Sequence, residues 1–98
     1  MTPVLFRKER SGQFKDSITA VFPTLPGSPG CMTCYAHIGQ HSSCSFEWYA
    51  STVPASPFDY EDLLEELKHN VGYDDLKVVK RITGAMRDLR NAAERRVA

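Results

Sequence analysis

The chain lacks any excess of charge: twelve lysines and arginines balance twelve aspartates and glutamates over 98 residues. With no net field, nothing in the overall balance draws it to DNA or to a membrane surface. It has no apolar run approaching the roughly 18–20 residues that span a bilayer, so no membrane partner is expected. The opening MTPVLFRKERSG lacks the basic-then-apolar order of a secretory leader. Cysteine is scarce and odd in number, three, which excludes a monomer with every thiol paired. That favours reduced thiols and a cytoplasmic protein, where disulfides are rare. Apolar residues are not lacking: 42% hydrophobic against 24% charged is the balance of a globular domain. One domain with one modest core is expected, with residues 1–82 as core and 83–98 as a basic helical extension.

What is there concentrates in CMTCYAHIGQHSSC, which holds Cys31, Cys34, His37, His41 and Cys44. Before it, 4–10 reads as a strand, Ser11-Gly12 as a turn and 18–22 (ITAVF) as a second, β-branched strand. The Pro/Gly-punctuated stretch 23–30 reads as a loop. From 31 to 41, alternation divides one strand into two faces. Met32, Cys34, Ala36 and Ile38 form the apolar face, with Cys34 a buried thiol. Cys31, Thr33, Tyr35, His37, Gly39 and His41 form the other, expected to meet solvent or a ligand. Phe46, Trp48 and Tyr49 read as a core cap ahead of a connection over 51–57.

The strongest local signal follows. Ser56 caps, Pro57 takes the first helical position and Asp59 completes a capping box. Tyr60, Leu63, Leu64, Leu67 and Val71 recur on one helical face, and Gly72 stops the helix, which is predicted over 57–71. A strand over 76–82 and a final helix capped by Thr83 are preferred for the end of the chain, with one helical stripe over Leu76, Val79, Ile82, Met86, Leu89 and Ala93 as the alternative. The fold expected is α+β: a small antiparallel sheet of three to four strands packed against one or two helices, in the order β-β-β-α-β-α.

LFRK, AVFPTLP, CYAHIGQH, DYEDLLEELK and GYDDLKVVKR together give the chain a likeness over roughly residues 4–82. It resembles a family of small uncharacterised bacterial and phage proteins whose shared core is Tyr35-x-His37-Ile38-Gly39-Gln40-His41. The resemblance implies a cytoplasmic protein carried on phages or mobile elements, with no activity attached.

Four chemistries compete for these residues. A binding module is preferred: Tyr35, His37, Gly39, Gln40 and His41 offer an aromatic face, donors and acceptors, and a close backbone approach to a small polar or anionic ligand or a host protein. Zinc is the alternative cofactor, with Cys31, His37, His41 and Cys44 as candidate ligands. A straight strand would hold His37 and His41 about 13 Å apart, too far for one ion. A Cys44–His41 dyad with Gln40 beside it would make a hydrolase. Nucleic acid is the fourth, through Lys77, Lys80, Arg81, Arg87, Arg90, Arg95 and Arg96, set against seven acids between 59 and 75. An apolar Met86/Leu89/Ala93 stripe would serve a homodimer seam.

Overall fold

The structure, a computed structural model, describes residues 1–36 and 40–97. Its elements run β1 (Thr2–Lys8), β2 (Ile18–Pro26), β3 (Met32–Ala36), β4 (Gln40–Cys44), α1 (Phe46–Ser51), β5 (Val53–Pro54), α2 (Pro57–Glu66), β6 (Leu76–Val78) and α3 (Gly84–Val97). The class is α+β, as expected, but the sheet is larger and the element order differs. Six strands lie in the order β4-β3-β2-β1-β5, with β6 also on β1. β1 pairs antiparallel with β2 and β5 and parallel with β6.

The central stretch is where sequence and structure part. Alternation through Ile38 reads as one strand over 31–41, yet β4 runs back beside β3 with Tyr35 opposite His41 and Cys34 opposite Ser42. Alternation fixes faces but does not mark a reversal. His37 and Gly39 lie outside the described residues, so the spacing argued for a straight strand no longer bears on the two histidines.

Three other expectations change. β2 runs on through the prolines to Pro26, with a register irregularity between Phe22 and Pro26 where two of its residues have no N–H to give. The aromatic segment is a helix, α1, because the Ser45 hydroxyl caps it by accepting the Trp48 N–H at 2.9 Å. The last strand stops at Val78 rather than 82.

The helix over 57–71 is present, as α2 followed by a π turn over Leu67–Val71. Its capping box forms from both sides: Ser56 Oγ accepts the Asp59 N–H at 3.3 Å, and Asp59 Oδ2 accepts the Ser56 N–H at 3.1 Å. Gly72 ends it at φ 97°, the left-handed geometry glycine adopts without a Cβ clash. Thr83 caps α3 by accepting the Met86 N–H at 3.2 Å.

Both faces of the sheet are covered, which corrects the expectation of an open polar face. On one, Leu63 and Leu67 pack on Val4, Phe6, Ala20, Phe22 and Tyr35. On the other, Leu5, Val21, Met32, Cys34 and Cys44 lie beneath Phe46, Trp48 and Tyr49 of α1. α3 crosses β2 on this second side, its Arg87 guanidinium 4.3 Å from the Phe46 ring centre. No described helix is long and apolar enough to cross a membrane.

Candidate functional site

The β3–β4 register puts Tyr35 and His41 side by side on the α2 face. Their rings meet edge to face with centroids 5.0 Å apart. Their roles differ. Tyr35 is only 3% exposed and its hydroxyl donates to Glu66 Oε2 of α2 at 2.5 Å. That hydrogen bond, with burial added, holds the phenol's pKa above its ordinary value. His41 is exposed, and its Nε2 is hydrogen-bonded to the Tyr73 hydroxyl at 2.9 Å. Tyr73 in turn stacks on Phe22 at 5.0 Å, and burial raises its pKa.

Tyr73 gets there through the end of the helix. The N–H groups of Gly72 and Tyr73 both bond the Leu67 carbonyl, at 3.1 and 3.0 Å. The left-handed turn at Gly72 thereby throws the next side chain back over the sheet. Tyr73 also lines a recess of about 450 Å³ with Lys68, His69, Asp74 and Leu76. His69 reaches back to Glu65 at 2.9 Å. Of the five residues expected to bind, Tyr35 and His41 are therefore joined, the backbone of Gln40 pairs with Ala36, and His37 and Gly39 lie outside the described residues. Tyr73, Glu66 and Phe22 were not among them. An apolar residue after a helix-ending glycine often folds back on the last turn, and that signal was available for Tyr73.

The sulfur chemistry lies on the opposite face. In one strand, residues 41 and 44 have opposite parity, so His41 joins the α2 face while Cys44 joins the α1 face. This breaks the Cys44–His41 dyad and separates two of the zinc candidates. Among the described residues no group of three or more His, Cys, Asp or Glu side chains is placed to hold a metal ion.

Cys44 instead shares the α1-face cluster with Cys34, and both thiols are free. Both are buried, and Cys34 Sγ also lies 3.1 Å from Ser42 Oγ. The Cys44 thiol stabilises a Cys34 thiolate, lowering that group's pKa to about 6 despite the opposing effect of burial. The same hydrogen bond, with burial, pushes Cys44 far up. Both thiols border a shallow pocket of about 370 Å³ with Ser42 and Trp48.

The basic C-terminal segment is partly committed to structure. Arg87 lies on Phe46, and Arg90, 4% exposed, donates to the Cys31 carbonyl and Glu94 Oε1, each at 2.9 Å. Arg90 thereby holds α3 to the loop before β3, while Arg87 remains exposed beside Phe46.

No family model, curated protein or solved structure matches the chain.

Proposed function

We propose that the protein is a small binding module that takes a polar or anionic ligand at the recess beside His41 and Tyr73. The observation that carries this reading is the 2.9 Å His41–Tyr73 hydrogen bond, which joins an exposed strand histidine to the wall of that recess. Lys68 and His69 supply further donors there, with Asp74 the acid of the wall. Imidazole, ammonium and phenol together suit a phosphate or carboxylate near neutral pH. Tyr35 acts from beneath, fixing the His41 ring rather than meeting the ligand. His37, Gly39 and Gln40 belong to the proposal through the sequence run they share with His41. The resemblance to small bacterial and phage proteins fits a sequestering role.

Native mass spectrometry of gently purified protein tests this. An excess of roughly a few hundred daltons, absent in His41→Ala and kept in Tyr35→Phe, supports it. An excess equal to one metal ion, lost on chelation, overturns it in favour of a metal centre. A bare mass overturns it when inorganic phosphate also leaves the His41 and Tyr73 NMR signals unmoved.

A further inference from the structure

A second cavity lies where β1 meets β5 and β6, away from β4, and shares no lining residue with the recess at Tyr73. β1 is shared along its length by two short strands. β6 pairs with Thr2, Pro3 and Val4, while β5 pairs with Arg7 and Lys8. Backbone bonds close the two ends: Val79 N–H donates to the Val4 carbonyl and Ala55 N–H to the Phe6 carbonyl, both at 2.9 Å. Between them the sheet opens into a cavity of about 470 Å³, within the range that holds small organic ligands. Its walls are largely apolar, with Leu5, Phe6, Pro54, Ala55, Tyr60 and Val79 among them. Tyr60 is held in place by stacking on Phe6 at 4.2 Å.

The charge in that wall is of one sign. Arg7 and Lys80 line the cavity, and no acidic residue does among the described residues. Arg7 is unusual in itself. It is 8% exposed, donates Nε to Thr52 Oγ1 at 2.8 Å and Nη2 to the Thr52 carbonyl at 2.7 Å, and lies over the Tyr49 ring at 4.2 Å. All of these partners are neutral. Among the described residues no carboxylate forms an ion pair with it. Buried guanidinium groups are ordinarily matched by an anion, because neutral dipoles alone offset only part of the lost hydration.

We infer that the cavity between β5 and β6 is a binding site for a small organic acid, its apolar body against Phe6, Tyr60 and Val79 and its carboxylate on the Arg7/Lys80 side. Apolar walls alone would take a neutral molecule as readily. The unmatched cations select the anion.

The test is amide NMR titration with phenylacetate and, separately, with its neutral analogue phenylacetamide. The expected result is saturating shifts at Leu5, Phe6, Ala55 and Val79 with phenylacetate, and binding at least about tenfold weaker with the amide. Lys80→Glu, an exposed change that leaves the melting temperature in place, is expected to weaken phenylacetate by about tenfold and leave the amide unaffected. Ala55→Trp fills the cavity and is expected to abolish both. Equal binding of acid and amide overturns the inference, as does a Lys80→Glu variant that binds phenylacetate as the parent does. Absence of shifts up to roughly 10 mM also overturns it. Shifts confined to His41 and Tyr73 overturn it as well, and speak instead for the recess beside those two residues.

Discussion

The Tyr35 hydroxyl donates to the Glu66 carboxylate at 2.5 Å, tying β3 to the last turn of α2 across 31 residues of chain. The bond explains how a polar-tipped residue sits in an apolar cluster: the ring is buried and the hydroxyl is satisfied at the rim. It also sets a titration. A carboxylate accepting the phenol proton opposes its loss, so Tyr35 ionises above the ordinary tyrosine value. Ultraviolet titration of the folded protein is expected to show a late tyrosinate component from Tyr35 and Tyr73, reduced but not lost in Tyr35→Phe. That variant is also expected to melt lower than the parent while keeping its fold.

Cys34 is expected to be the reactive thiol of the three. Hydrogen bonds from the Cys44 thiol and from both the side chain and the backbone of Ser42 hold its thiolate, and its pKa falls from 9.0 to about 6. Burial slows access, so the absolute alkylation rate is modest, but its pH dependence is distinctive. Iodoacetamide labelling followed by peptide mass spectrometry is expected to rise through a midpoint near 6 at Cys34. In Cys44→Ala the donor is gone and the midpoint moves up toward 9.0. An unchanged midpoint in that variant would show that Cys44 does not support the thiolate.

The parts of the fold legible in the sequence are those written in short-range signals. Ser56, Pro57 and Asp59 announce α2, its leucines repeat on one face, and Gly72 ends it, all within about four turns of helix. Thr83 announces α3 in the same way. The β3–β4 reversal carries no such mark, because Met32, Cys34, Ala36 and Ile38 alternate as they would in a longer strand. Where β6 docks is also unreadable locally. Its partner Val4 lies some 70 residues away, and LKV suits a parallel or an antiparallel neighbour equally. The site divides along the same line. The Tyr35–His41 pair lay within the stretch singled out, whereas Tyr73 reaches it only through the tertiary path of the α2 end.

Gly27 is required by space rather than by backbone angle. A Cβ there would lie 2.5 Å from Ser43 Oγ and 2.7 Å from the Met32 carbonyl oxygen. The serine can rotate away, but it would give up the Ser28 N–H that it accepts at 2.7 Å, and the carbonyl belongs to β3. Gly27→Ala is therefore expected to cost about 1–3 kcal/mol. Gly30→Ala meets no atom but must hold φ at 80°, a strain of about 1 kcal/mol. Urea denaturation of the two variants separates crowding from backbone strain.

Arg90 and Glu94 give the stability a defined acid limb. Glu94 Oε1 accepts the Gly30 N–H at 2.8 Å and an Arg90 N–H at 2.9 Å, clamping α3 to the loop before β3. Both bonds favour the ionised carboxylate and hold its pKa below the ordinary 4.5. A depressed folded value means that the stabilisation is present above 4.5 and is lost as pH falls through the folded pKa. Glu94→Gln is expected to be less stable than the parent at neutral pH, with the difference shrinking as the pH drops below that value. Arg90→Met, which strips the Cys31 carbonyl and Glu94 of a buried donor, is expected to cost about 2 kcal/mol at neutral pH. In the double variant the two losses should sum to more than is observed, because each alone already breaks the shared bond. Additive losses in urea denaturation would mean that the clamp contributes nothing as a pair.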